Sequence, residues 1–373
     1  MGFLYESALE FSQIIMKPTY LIVLILMGFH LHNKNKNIKK GQRLFIKGEP
    51  ERALEMTMSS LALGLVFGFI ILVVFKSLVG DVDLSDELII MFMVSILGSN
   101  LGSRFICFAY SGSVMCLLIL ILGSITSGIG VAQNLINKSM DIVILVGILH
   151  IVESILVFFD GGKGMVYYYR DNGKEICGGY KLSRRWIIPI VSFFTYAGYS
   201  SMSYSTPKKE KLKGSALKIS IYGVGIIILA MVSRGVYLLE IMTVFIMFLG
   251  HEFITGYKFN KIKKKEIFIS DDGISVLDSL KHGKAKKAGI NQGDKITHVN
   301  GVATNDISFL ENVIDTSSDK LIDLKVKKYN GKIERYELEL ESIDELRIVL
   351  VPAKIPFSTE QVQKENLTFK EVL

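Results

Sequence analysis

The chain has 373 residues, half of them hydrophobic, and a formal net charge of +7. A mean hydropathy of +0.39 is too apolar for an ordinary soluble protein, and the two parts differ: residues 1–256 carry long apolar runs, whereas the last third is rich in Lys, Asp and Glu. The basic residues sit beside apolar runs without any nucleic-acid motif, which excludes nucleic acid as the reason for the charge and points to a membrane part followed by a soluble part.

Ahead of the first apolar run stand Glu6 and Glu10 but only Lys17, and no Ala-x-Ala site follows, so that run reads as a retained helix rather than a cleaved signal. A bilayer crossing takes about 20 mostly apolar residues. Residues 14–32, 59–79, 107–124, 141–159, 216–232 and 236–253 meet that requirement. Residues 88–101 are apolar but short, and residues 186–203 contain Pro189 and many small or hydroxylated side chains. The expected fold class is a polytopic α-helical membrane domain of about 6–8 spans followed by a small α+β domain. Cys107, Cys116 and Cys177 form no CxxC pair and read as small apolar side chains, not as a disulfide or zinc framework.

Short basic loops mark the cytoplasmic side. The stretches at 33–43 and 160–185 are basic and the one at 80–87 is acidic, which places the opening hairpin of spans. Residues 206–214 are also basic, so 186–203 is expected to be re-entrant or interfacial, keeping both of its flanks on one side. The basic run at 258–266 then puts the C-terminal part in the cytoplasm. The same residues suit anionic headgroups of the lipid bilayer.

From Ile267 the pattern changes to short strands and turns. Ile322, Leu324 and Val326 alternate on one arm and Tyr336, Leu338 and Leu340 on the other, with Asn330-Gly331 as a tight-turn pair between them. Ile307, Leu310, Val313 and Ile314 have helical spacing, with Asn305 or Asp306 as N-cap. The segment holding Gly273-Ile274, Val276, Ala285, Ala288-Gly289-Ile290, Gly293-Asp294-Lys295-Ile296 and Val299-Asn300-Gly301 resembles a bacterial PDZ domain of the HtrA and site-2 protease type. The likeness covers about 75 residues, in the order and spacing that its turns require.

That resemblance implies a peptide-binding groove between the strand 273–279 and the helix 307–314. Gly273, Ile274, Ser275 and Val276 would offer backbone to an added strand, and Leu310, Val313 and Ile314 would line the pocket. Asp271 and Asp272 precede the expected carboxylate cradle and would repel a free C-terminus, favouring an internal segment or a basic partner. The expected division is therefore 1–257 membrane domain, 258–266 basic linker, 267–342 PDZ domain and 343–373 closing strand and tail. The terminal Phe369–Leu373 stretch looks like a PDZ ligand, which makes self-docking a further option.

His251-Glu252 begins like the zinc-protease signature His-Glu-x-x-His, but Thr255 stands where the second His would be. No apolar run follows Glu266, so an active site-2 protease lacks both a ligand and a span. Gly198-x-Ser200 with His251 is a rhomboid-like alternative, though Ser200 lies in the least convincing apolar run. His30, His150, Glu153, Glu240, His251 and Glu252 fall near expected span ends or in polar-tolerant positions, so a transporter-like reading has no acidic cluster to rest on. His251 is expected at the headgroup boundary, and no catalytic residue, metal or cofactor is assigned.

The whole layout, a multi-span anchor ending in a PDZ domain, resembles the MinJ family of Gram-positive division-site proteins. That resemblance implies a non-catalytic scaffold linking a DivIVA-like polar protein to a MinD-like division inhibitor at the cell pole or septum, with homo-oligomers an option. An intramembrane protease, or an inactive relative of one, is the alternative.

Overall fold

The computed structural model describes residues 2–46, 52–99, 103–125, 129–171, 175–190, 193–255 and 266–352. Its first part holds helices α1 (Gly2–Ile15), α2 (Pro18–Arg43), α3 (Ala53–Val79), α4 (Ser85–Ser99), α5 (Phe108–Ile125), α6 (Ile129–Asp160), α7 (Lys208–Ser233) and α8 (Tyr237–Thr255). Between α6 and α7 lie the strands β1 (Met165–Asp171), β2 (Ile176–Ile190) and β3 (Phe193–Ser203).

Helices α3, α5, α7 and α8, and α6 from Asn137 onward, are each long and apolar enough to cross a membrane. The pair α1–α2 passes that test only when joined, and it is bent by 72° at the break before Pro18. Proline at the first helical position suits a helix start, because its missing N–H would have no intrahelical partner there. Helix α4 has 15 residues. At 1.5 Å per residue it spans about 22 Å, short of the roughly 30 Å hydrocarbon core. Outward side chains on these helices are apolar: Ile25 is 69% exposed, Leu249 60% and Leu122 56%. Such a band cannot face water at low cost, and it fits a lipid surround.

Two expected loops are regular structure. The basic residues 33–43 continue α2 as helix rather than forming a connection, and 206–214 run into the first turns of α7. The stretch 160–185 is a turn followed by β1 and the first part of β2.

The segment 186–203 is neither a spanning nor an interfacial helix. It is the inner part of a β-hairpin, with β2 and β3 paired antiparallel from Tyr180↔Ser203 to Ile190↔Phe193. A hairpin enters and returns, so Arg185 and Thr206 lie towards the same end. Strand backbone among apolar helices is tolerable only where protein covers it. Here α3 does so through Gly64 and Gly68, one helical turn apart. A Cβ on Gly64 would lie 1.8 Å from the Ile187 carbonyl oxygen, and one on Gly68 would lie 2.5 Å from the Pro189 ring. Trp186, Ile188 and Ile190 are fully buried in the same core as the helices.

One charged group goes in with the hairpin. Arg184 is 1% exposed; its Nε donates to Asp160 Oδ2 at 2.7 Å and its Nη1 to the Met56 carbonyl at 2.9 Å. Trp186 Nε1 donates to the same Asp160 oxygen at 2.8 Å, and Lys163 Nζ lies 2.7 Å from Oδ1. A buried guanidinium is tolerated because its charge is matched and its donors are taken.

The C-terminal part comprises β4 (Ile274–Ser279), α9 (Lys284–Ala288), β5 (Lys295–Val299), β6 (Val302–Ala303), α10 (Ile307–Thr316), β7 (Leu321–Lys327), β8 (Ile333–Glu339) and β9 (Ile348–Leu350). The sheet runs β8-β7-β5-β4-β9, with β6 on β5. The expected hairpin is β7–β8, paired from Leu321↔Glu339 to Lys327↔Ile333. Its turn is longer than a two-residue turn, and of the expected pair only Gly331 has positive φ. Strand β9 belongs to this sheet, so the domain runs past residue 342 rather than ending there. Of the expected linker 258–266 only Glu266 is described, and the Phe369–Leu373 stretch lies outside the described residues.

The two parts are packed together. Gly178 N–H donates to the Phe268 carbonyl at 2.8 Å, and Ile267 N–H donates to the Tyr204 carbonyl at 3.2 Å. Phe268, Leu277, Val349 and Val351 join the helical core. Tyr167, on β1, donates through its hydroxyl to Asp278 Oδ2 at 2.8 Å, both groups being buried.

Candidate peptide-binding groove

A groove for an extended ligand needs a strand with a free edge and a wall of side chains facing it. Helix α10 supplies the wall. It starts where the Asp306 side chain accepts from Ser308 N–H at 3.0 Å, the N-cap expected of an Asp there. Its Leu310 and Ile314 turn into the domain core at 0% and 2% exposure, and Val313 is half-buried against that core. The three residues therefore hold the helix on the sheet.

The strand expected to offer its backbone is already paired on both sides. Ile274↔Ile296 and Ser275↔Lys295 join β4 to β5, while Val276↔Leu350, Asp278↔Val349 and Ser279↔Ile348 join it to β9. Ile274, Ser275 and Val276 are fully buried, and Gly273 sits against the Ile296 carbonyl. Gly273–Val276 and α10 thus belong to one domain, but the sheet edge beside α10 is β9. The sequence carries a closing strand in the 343–373 part, but the PDZ resemblance assigns the ligand-facing backbone to Gly273–Val276, and which of the two strands ends the sheet is fixed only by their pairing.

Between β9 and α10 lies an open cavity of about 700 Å³. Ile307, Ser308 and Glu311 line one side, Ile348 and Leu350 the other, and Leu44 and Phe45 close one end from beyond α2. Tyr169, on β1, donates its hydroxyl to the Leu350 carbonyl at 2.6 Å, so one acceptor of the edge strand is held by the helical part. Phe45 packs against the Tyr167 and Tyr169 rings at 5.6 and 5.2 Å. The groove is walled by both parts of the chain.

Charge at the groove is mixed, with Arg43 and Arg347 against Asp306, Glu311 and Asp344. Asp271 and Asp272, expected to repel a ligand carboxylate, are tied up elsewhere. Lys295 bonds to both, and Lys327 Nζ lies 2.8 Å from Asp272. These bonds, that from Lys295 foremost, hold the Asp272 carboxyl well below its usual pKa.

The serine and histidine considered together in the sequence have different surroundings. Ser200 is exposed on β3 opposite Ser183, whereas His251 is 4% exposed inside the bundle. His251 therefore faces the interior of the bundle rather than its outer surface: its ring packs edge-on against Tyr110 at 4.8 Å and His150 at 5.2 Å. Glu252 accepts from the Tyr110 hydroxyl at 2.5 Å. Sequence spacing could not show this grouping, since Tyr110, His150 and His251 come from the separate helices α5, α6 and α8. The available signal was a histidine within the apolar run of α6.

No curated protein and no solved structure matches the chain. The profile of the PDZ-domain family matches residues 255–327, which take in β4 to β7 and α10. The chain thus carries a PDZ domain at residues 255–327, following a helical region with several helices apolar enough to span a membrane.

Proposed function

We propose that the protein is a non-catalytic membrane scaffold that recruits partner proteins through its PDZ domain. The observation that carries this reading is the groove between β9 and α10, an edge strand facing a helix across an open cavity lined by apolar and charged side chains. An extended segment bound there would bond to the β9 backbone and place alternate side chains against Ile307 and Ile348. Anchoring in the bilayer raises the groove's effective concentration towards other membrane-bound proteins, so a modest interface suffices when copies cluster. The basic residues 258–266 place the domain in the cytoplasm on this reading. The likeness of the layout to the MinJ family suggests the setting: division-site placement, with DivIVA-like and MinD-like partners at the pole or septum.

The test is a crosslinking pulldown from membranes with the intact protein. Ile307→Asp and Ile348→Asp put a carboxylate into the groove, and Ile333→Asp puts one on the exposed face of β8. Recruitment lost with the first two and kept with the third supports the scaffold. Equal recruitment by all three removes the groove from the account. Val276→Asp is unsuitable, because Val276 is fully buried and its loss would disrupt the domain core. A fluorescent fusion spread uniformly over the membrane would sink the division-site setting.

A further inference from the structure

We propose that Cys107, His150 and His251 form a binding site for one transition-metal ion of the zinc class inside the helical bundle. Cys107 stands directly ahead of α5, His150 is on α6 and His251 on α8. One ligand atom from each lies within 4.8 Å of the other two. Cys107 Sγ and His150 Nε2 are 3.5 Å apart. Two ligands on a tetrahedral zinc, at bond lengths of about 2.3 Å to sulfur and 2.05 Å to nitrogen, stand about 3.6 Å apart. The sulfur and nitrogen already have the spacing of two corners of such a site.

The histidines are prepared for the role. His150 Nδ1 lies 2.7 Å from the Val146 carbonyl, which can only accept, so Nδ1 carries the proton and Nε2 presents its lone pair towards Cys107. A ligating histidine is ordinarily fixed this way, through its other ring nitrogen. His251 Nδ1 is buried and has no hydrogen-bond partner, an expensive arrangement for a polar atom unless something else occupies it. The neighbouring phenols are committed elsewhere: Tyr222 donates to the Met247 carbonyl at 2.6 Å and Tyr110 to Glu252. Both rings pack edge-on against the histidines and hold their planes.

The binding step balances in protons and electrons. On binding, the Cys107 thiol gives up its proton to solvent and the thiolate takes its place on the metal; no electrons move. Thiolate and two neutral imidazoles leave one positive charge on a divalent ion. Glu153, three residues after His150, lies on the same face of α6. Sulfur with two imidazoles selects zinc, cobalt or copper over magnesium and calcium. Bound there, the ion would tie together the segments that carry the three ligands, of which α8 leads towards the PDZ domain.

The test uses the full-length protein in detergent, stripped by chelator and titrated with Co(II). The expected result is one cobalt per chain, with thiolate-to-metal charge-transfer and tetrahedral d–d absorption. Cys107→Ser should abolish the charge-transfer band, and His251→Gln should weaken binding by more than about 10-fold. Cys116→Ser and Cys177→Ser, buried cysteines outside the cluster, should leave both signals intact. No charge-transfer band in the wild-type protein, or its persistence in Cys107→Ser, overturns the proposal. Should the variants not fold, the wild type still decides. Zn(II), but not Mg(II), should protect Cys107 from maleimide, and equal labelling under both ions overturns the site.

Discussion

Replacing Tyr167 by Phe removes the hydroxyl that bridges the two parts of the chain and little else. The phenol donates to Asp278 Oδ2 at 2.8 Å, and the residues are 2% and 5% exposed. Burial, reinforced by the nearby Asp278 charge, pushes the Tyr167 pKa well above its usual value, so the group remains a donor. In Tyr167→Phe the Asp278 carboxylate loses this donor and keeps its ion pair with Lys208 Nζ at 3.7 Å. A hydrogen bond to a charged group contributes about 1.5–3 kcal/mol. That corresponds to a roughly 10- to 150-fold larger constant for transient separation of the two parts. The remaining contacts, including Tyr169 to the Leu350 carbonyl, keep the ground state docked. Hydrogen exchange reads the change directly. The amides of Gly178 and Ile267, which donate across the junction, should exchange faster by that factor. The amide of Val276, which donates to Asp294 within the PDZ domain, should not change. Unchanged exchange at Gly178 and Ile267 would refute the view that this bond holds the domain on the hairpin.

Gly64→Ala and Gly68→Ala should each lower the thermal stability of the detergent-solubilised protein by the equivalent of about 1–3 kcal/mol, because the added methyl meets strand backbone and the Pro189 ring. Gly214→Ala, with nothing within 4 Å of its Cβ, should hold or raise stability in the same melt. Arg184→Met should cost about 3–5 kcal/mol by leaving the Asp160 carboxylate buried without its guanidinium, and adding Asp160→Asn should recover part of the loss in a double-mutant cycle. Asp272 has a lowered pKa in the folded chain, chiefly from its bond to Lys295, so its stabilising effect is present above the unfolded carboxyl pKa of about 3.9 and fades as pH falls through the folded value. The stability gap between wild type and Asp272→Asn should therefore hold at neutral pH and close in acid.

Much of the architecture is legible without coordinates, because the signals are local. Long apolar runs mark α3, α5, α6, α7 and α8, since each must cover its own backbone with apolar side chains. Turn glycines and period-two alternation mark the PDZ domain, and the Asp306 cap marks the start of α10. Three features are long-range and carry no local signal. Residues 186–203 read as an apolar segment because strand and membrane helix share that composition; pairing of residues 193–203 with 180–190 and the approach of Gly64 and Gly68 make them part of a hairpin. The free sheet edge beside α10 is β9 rather than β4 because Ile348–Leu350 pairs along β4, a pairing between segments about 70 residues apart that neither announces alone. Cys107, His150 and His251 look like scattered polar exceptions until helix packing brings them within 4.8 Å of one another. Composition and periodicity thus mark the long apolar helices and the strands and turns of the PDZ domain, since those signals depend on neighbours in sequence. Which edge stays free and which polar groups meet depends on contacts between distant segments, and only the tertiary structure decides them.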